Sequence, residues 1–229
     1  MKFNTINLCA LLFLLLNIQT IMAQDWPALH HFKKDNKKIG LPKEGENRVV
    51  FMGNSITIGW LQMQPDFFQD TPYINRGISG QTTPQMLVRF RQDVINLHPA
   101  VVVILAGTND IAGNTGPATV EMIQDNIVSM AELAKANGIK VVLSSVLPVF
   151  DYPWKPGLEP VEKIAKLNRY LKNYSEENNM VYLDYFSALV DDCNGLPKKY
   201  SEDGVHPNIE GYKIMAPLAQ KAIDKALSQ

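Results

Sequence analysis

The sequence predicts an α/β protein: a parallel sheet with helices on both faces. Three observations lead there. Short β-rich runs alternate with segments of helical period through most of the 229 residues. The third run, Ala100–Ala106, is apolar throughout, as a strand covered on both faces should be. The loops after the first three runs are polar and carry glycine, which suits the carboxyl edge where such sheets bind ligands.

The elements follow in order. Arg48–Met52 is the first strand and Tyr73–Asn75 a short second. Thr83 then caps a helix, with Pro84 at its first position and Met86, Leu87, Phe90, Val94 and Ile95 near helical spacing. Ala100–Ala106 is the third strand. Thr119–Ala136 repeats the helical pattern through Ile123, Ile127, Met130, Leu133 and Ala134, and Gly138 ends it. Lys140–Ser144 and Met180–Asp184 are strands four and five. Helices over Glu159–Tyr174 and Ile209–Leu227 complete the set. There is no internal repeat and no low-complexity segment.

Ahead of the first strand lie two segments of other character. Residues 1–23 read as a secretory signal peptide, with Lys2 in the positive region, Leu8–Leu16 as the apolar stretch and Ala23 at the cut. Ile21 at the minus-three position is not the preferred small residue, so the cut is not fixed, and an uncleaved anchor is the competing reading. The apolar stretch is too short to span a bilayer. Cys9 lies inside it, which argues against lipid attachment just behind it. Residues 24–47 form a polar, lysine-rich N-terminal lead, and residues 48–229 form one domain. The expected location is therefore exported, periplasmic or extracellular if the source is bacterial.

Composition narrows the partners. The chain is 46% hydrophobic and 20% charged with net charge −1, enough for one sizeable core. No basic tract invites nucleic acid, and no stable membrane partner is expected. Cys193 is alone once the leader is gone and sits beside Asp191 and Asp192, which disfavour a thiolate; a catalytic thiol is not expected.

Four loops carry the candidate chemistry: GNSIT at 53–57, NRGISGQTT at 75–83, AGTND at 106–110 and DGVHPN at 203–208. Ser55 follows strand one, either as a helix cap or as a nucleophile. A serine nucleophile needs a base. Of the four histidines, His30, His31 and His98 read as surface residues. His206 has Asp203 three residues ahead in a glycine-containing turn, which lets a carboxylate reach Nδ1 and leave Nε2 outward. Gly80 can present a backbone N–H, and Asn109 an amide at the tip of strand three, although taken by itself Asn109 reads more simply as an asparagine bonding its own turn.

Taken together, the loops resemble the SGNH hydrolases, the GDSL-type esterase and lipase superfamily, over about residues 48–227. Ser55 matches the nucleophile, His206 and Asp203 the base and its orienter, and the Ser55 N–H, Gly80 and Asn109 the oxyanion donors. The resemblance implies a three-layer α/β/α sandwich, flavodoxin-like, with a five-stranded parallel sheet in the order 2-1-3-4-5. The eponymous Gly-Asp-Ser-Leu reads Gly53-Asn54-Ser55-Ile56 here, keeping a turn-forming side chain without the charge. Asp110 fits the third block as a structural residue. Gly-x-Ser-x-Gly is absent, since Thr57 stands where glycine should, so a conventional α/β-hydrolase is disfavoured.

The implied reaction is acyl transfer through a serine ester, with no cofactor and no metal; no Cys/His cluster of ligand spacing follows the leader. The expected substrate is a small-molecule or glycan ester. Phe150, Tyr152 and Trp154 in the loop after strand four, with Trp60 behind Ser55, are a candidate sugar platform. Packing of a long loop is the alternative for the same aromatics. Without a long apolar lid segment, short acyl groups on carbohydrates are favoured over lipid-directed lysophospholipase or lipase activity. A non-catalytic carbohydrate-binding protein would need none of Ser55, Asp203 and His206. Oligomeric state is not legible.

Overall fold

The structure is a computed structural model that describes residues 25–229; the leader expected at 1–23 lies outside the described residues. In chain order the elements are α1 (Lys33–Ile39), β1 (Val49–Gly53), α2 (Ser55–Met63), β2 (Tyr73–Gly77), α3 (Thr83–Asp93), β3 (Val101–Ile104), α4 (Thr108–Ile111), α5 (Val120–Ala136), β4 (Lys140–Ser144), α6 (Pro160–Glu177), β5 (Val181–Leu183), α7 (Phe186–Leu189) and α8 (Ile209–Leu227). Short 3-10 turns follow α2 and α3.

All five strands pair in parallel in the order β2-β1-β3-β4-β5. Strand alternation sorts the core into two layers. Val50, Met52, Val102 and Ile104 point to one face and meet Met86 and Phe90 of α3, Ile123 and Ile127 of α5, and Leu167 and Leu171 of α6. Val49, Phe51, Val101 and Val103 point to the other and meet Ile56 and Trp60 of α2 and Tyr212, Met215 and Ile223 of α8. Each strand is therefore covered on both sides, which is why β1 and β3 read as unbroken apolar runs. The expected three-layer α/β/α sandwich and strand order are the ones observed.

Several boundaries shift. The cap of α3 is Thr82 rather than Thr83, and its N–H bonds the Gln85 side-chain oxygen at 3.0 Å. Leu105 and Ala106 leave the β3 ladder and lead into the loop. The lead contains a helix, α1, and folds back onto α3. The side-chain amides of Gln81, Gln85 and Gln92 donate to the carbonyls of Pro27, Trp26 and Leu29 at 2.9, 2.6 and 2.7 Å.

Parallel strands put every β-to-α loop at one edge. The loops after β1, β2 and β3 lie side by side there because those three strands are neighbours, and the turn before α8 reaches the same edge.

Candidate active site

Ser55 is the first residue of α2, directly after the turn that ends β1. Asn54, not Ser55, caps the helix: its side-chain oxygen accepts the Ile56 N–H at 3.1 Å. That leaves the Ser55 hydroxyl free for other contacts and its N–H at a helix N-terminus, where no preceding turn supplies an acceptor. The turn is braced from three sides. Asn75 donates to the Thr57 carbonyl at 2.6 Å, the Tyr212 hydroxyl donates to the Ile56 carbonyl at 2.6 Å, and Arg89 donates to the Gly53 carbonyl at 3.1 Å.

The Ser55 Oγ lies 2.9 Å from His206 Nε2, and His206 Nδ1 lies 2.7 Å from Asp203 Oδ2. Asp203 Oδ1 also accepts the backbone N–H groups of His206 and Val205 at 2.8 and 2.9 Å and the Ser201 hydroxyl at 3.1 Å. Partial burial pushes this carboxyl up, but the His206 N–H, the His206 ring and the Val205 N–H outweigh it and hold it at about 2. It is thus ionised across the neutral range and fixes the imidazole through Nδ1, with Nε2 toward the serine. An alcohol, an imidazole and a carboxylate in sequence can pass a proton from Oγ to Nε2 while the charge that develops on the ring stays paired.

Gly80 sits exposed in the β2–α3 loop at φ 76°, and Asn109 is buried at the start of α4. One Asn109 amide hydrogen goes to the Gln81 carbonyl at 2.9 Å, so the residue bonds the neighbouring loop rather than its own turn. Among the described residues its amide makes that one bond. Asp110, next along, accepts the Thr83 N–H at 2.9 Å and the Thr83 hydroxyl at 2.6 Å, stitching the β3–α4 loop to the start of α3. Burial pushes its carboxyl up to about 6 despite the Thr83 bonds.

The four aromatic candidates divide. Trp60 is 2% exposed and stacked on Phe67 at 4.5 Å in the core; its indole is covered on both faces and cannot receive a sugar. Tyr152 is fully buried, and its hydroxyl donates to the Thr108 carbonyl at 2.9 Å, one residue before Asn109. Both therefore leave the candidate platform: apolar spacing behind Ser55 is a core signal, and a buried tyrosine anchors with its oxygen. Phe150 and Trp154 are 65% and 47% exposed. The Trp154 ring centroid stands 6.0 Å from that of His206. Phe150 borders a cleft of about 400 Å³ that reaches Asp203 and Leu196, and a second of about 560 Å³ beyond Asp151. The Cys193 side chain is exposed, with no disulfide.

Asn54, read from the sequence as turn-forming, holds the Ile56 N–H. Asn75, Arg89 and Tyr212 were given no role from the sequence; each acts on a backbone oxygen of the Ser55 turn. Among the described residues no group of three or more His, Cys, Asp or Glu could hold a metal ion.

Fold and site define a hydrolase-type α/β/α protein with a serine, a histidine and an aspartate in line at the carboxyl edge of the sheet. The model of the GDSL-like lipase/acylhydrolase family matches residues 51–214, and the chain belongs to that family. It is a carboxylic ester hydrolase. A GDSL-like lipase structure from Bacteroides thetaiotaomicron superposes with a TM-score of 0.85 at 48% identity, covering 87% of this chain and 98% of that one. Esterase TesA of Pseudomonas aeruginosa is 29% identical over 172 residues, 71% of this chain and 77% of that protein. An acetylxylan esterase of Xylanibacter ruminicola is 26% identical over 223 residues, covering 82% of this chain but only 45% of the relative.

Proposed function

We propose that the protein is an exported serine esterase that removes short acyl groups, acetyl above all, from carbohydrate esters through an acyl-enzyme. The observation that carries the mechanism is the unbroken contact series Ser55 Oγ, His206 Nε2, His206 Nδ1, Asp203 Oδ2 at 2.9 and 2.7 Å. His206 Nε2 takes the hydroxyl proton as Ser55 Oγ attacks the ester carbonyl. The oxyanion is held by the N–H groups of Ser55 and Gly80 and by the Asn109 amide, each worth about 3 kcal/mol of barrier. His206 returns the proton to the departing alcohol. Water then attacks the acyl-serine by the same path and releases the acid.

Support for a carbohydrate alcohol comes from exposed Trp154 beside His206, exposed Phe150 at the cleft edge, and the acetylxylan esterase relative. An aromatic face against the apolar side of a sugar ring is an ordinary recognition device. Export rests on the charge and apolar pattern of residues 1–23. Among the described residues no helix is long and apolar enough to cross a membrane.

Hydrolysis of p-nitrophenyl acetate, octanoate and palmitate, with Ser55→Ala in parallel, tests the reading. The expected result is a steep preference for acetate, with kcat reduced by several orders of magnitude in the variant. A palmitate preference would move the substrate to lipids, and equal rates for variant and parent would remove Ser55 from the mechanism. Release of acetate from acetylated xylo-oligosaccharides then tests the alcohol.

A further inference from the structure

Arg89 is fully buried, an expensive place for a guanidinium, and its donors converge on the site. Nε donates to the Gln81 side-chain oxygen at 2.5 Å, Nη1 pairs with Asp93 at 3.1 Å, and Nη2 donates to the carbonyls of Gly53 and Arg76 at 3.1 and 2.8 Å. Gly53 is two residues from Ser55, and Gln81 is the residue after Gly80.

Gln81 is held at every polar atom of its side chain. Its oxygen accepts from Arg89, and its amide donates to Pro27 of the N-terminal segment at 2.9 Å. Its backbone carbonyl in turn receives the Asn109 amide at 2.9 Å. The segment that covers this pair is fixed independently. Phe32 packs its ring 4.5 Å from the Arg76 guanidinium, and Asn36 bonds Arg76 and Asp93 at 2.7 Å each.

We propose that the buried Arg89–Gln81 pair is the positioning device of the oxyanion site, setting the Asn109 amide relative to the Ser55 turn, with residues 25–39 as its cover. This rests on the oxyanion reading of Gly80 and Asn109 given above. The rationale is geometric. The planar Asn109 amide can turn about its Cβ–Cγ bond; fastening one N–H to the Gln81 carbonyl fixes where the other points. That carbonyl is only as fixed as Gln81, whose side chain Arg89 anchors to the same guanidinium that holds Gly53. One group therefore ties the nucleophile turn to the oxyanion loop. A donor aimed in advance costs nothing to reorganise as charge develops.

The test compares Gln81→Met, Gln81→Glu, Asn109→Ala and the Gln81→Met/Asn109→Ala double variant in the full chain. Gln81→Met is close in volume and removes both side-chain bonds. Gln81→Glu keeps an acceptor for Arg89 and turns a second acceptor oxygen toward the Pro27 carbonyl in place of the amide donor. Readouts are kcat and KM for p-nitrophenyl acetate, inhibition by a small alkylboronic acid that forms a tetrahedral adduct on serine, and the melting temperature. Asn109→Ala should lower kcat about 100-fold or more. Gln81→Met should lower kcat about 10- to 30-fold, a loss of donor alignment short of deletion, with KM within about 2-fold and boronic acid affinity weakened in proportion. Gln81→Glu should stay within about 3-fold of the parent. The double variant should be no slower than Asn109→Ala, since Gln81 acts through that amide.

Gln81→Met with parental kcat, while Asn109→Ala is impaired, overturns the positioning role and leaves the oxyanion reading intact. Parental kcat in Asn109→Ala overturns both. Should Gln81→Met not fold, Gln81→Glu decides: a fall in kcat beyond 10-fold with Arg89 still paired overturns the proposal, and near-parental kcat supports it.

Discussion

Gly77→Ala tests how closely the second strand abuts the Ser55 turn. Gly77 ends β2 opposite Gly53, the last residue of β1. A Cβ built on Gly77 would lie 2.3 Å from the Ile58 nitrogen, 2.7 Å from the Asn54 carbonyl oxygen and 2.9 Å from the Thr57 Cβ. Two of those three are backbone atoms of the turn that carries Ser55, so no side chain can swing aside to relieve the clash. Real Cβ contacts essentially never fall below 3.0 Å, so the turn must retreat by at least 0.7 Å. Overpacking of this kind costs about 1–3 kcal/mol. A displacement near 1 Å at a reacting centre costs about 100-fold in rate. Gly77→Ala should therefore lose about 2 kcal/mol in urea unfolding and 30- to 100-fold in kcat for p-nitrophenyl acetate, by the same two rules. Gly116→Ala is the control: its added Cβ meets nothing within 4 Å, and its φ of 113° gives a purely conformational penalty away from Ser55. Gly77→Ala with parental stability and kcat would refute the claim that close backbone approach at this point sets the position of Ser55.

Asp203→Asn should keep the fold and lower kcat by about 10³- to 10⁴-fold, because the amide no longer favours the tautomer with the proton on Nδ1; retained kcat would remove Asp203 from the relay. The same carboxyl, held at about 2 when folded against an ordinary value of 3.8, adds stability above about pH 4 that is lost as pH falls toward 2. Its partial exposure keeps that contribution under about 1 kcal/mol, read as the difference between parent and Asp203→Asn in acid unfolding. Asp110 runs the other way. Raised to about 6 by burial, it favours the folded state most when protonated, so its contribution falls as pH rises from about 4 to 6, by up to about 3 kcal/mol. Urea unfolding across that window should show the slope in the parent and not in Asp110→Asn. Trp154→Ala should raise KM for an acetylated xylo-oligosaccharide about 3- to 10-fold and leave kcat for p-nitrophenyl acetate unchanged, the size of one aromatic contact; an unchanged KM would remove Trp154 from the substrate site.

Strands one, three and four were legible because burial on both faces leaves mainly apolar residues to read. Ser55, Asp203 and His206 could be nominated from the sequence because the chemistry of an activated alcohol demands those residue types, and parallel topology brings their loops to one edge, where the three side chains meet. What stayed hidden is set by contacts and boundaries that the local pattern does not encode. Helix α1 is KKDNKKI, with no apolar stripe and no buried residue; it is held by Asn36 reaching Arg76 and Asp93. Helix α2 follows β1 with one residue between them, so its period merges into the strand pattern. Trp60 and Tyr152 looked like a platform because an aromatic residue near a loop carries no mark of which way it faces. Their partners, Phe67 for Trp60 and Thr108 for Tyr152, decide that.

The polar residues buried around the site also explain where stability has been given up. Arg89 and Asp110 are both withdrawn from water, and burial pulls the guanidinium down to about 10 as it lifts the carboxyl to about 6. Neither lies in the apolar layers, where hydrophobic residues of similar volume often serve folding as well or better. They flank one short stretch instead: Arg89 grips Gln81 and Asp110 grips Thr83, so Gly80–Thr83 is fastened from both sides. A glycine in a loop has no side chain with which to stiffen it. Rigidity has to come from outside, through directional bonds that apolar packing does not supply. Under the proposed mechanism, the desolvation cost of two buried charges thus falls on the segment where preorganisation would return the most rate.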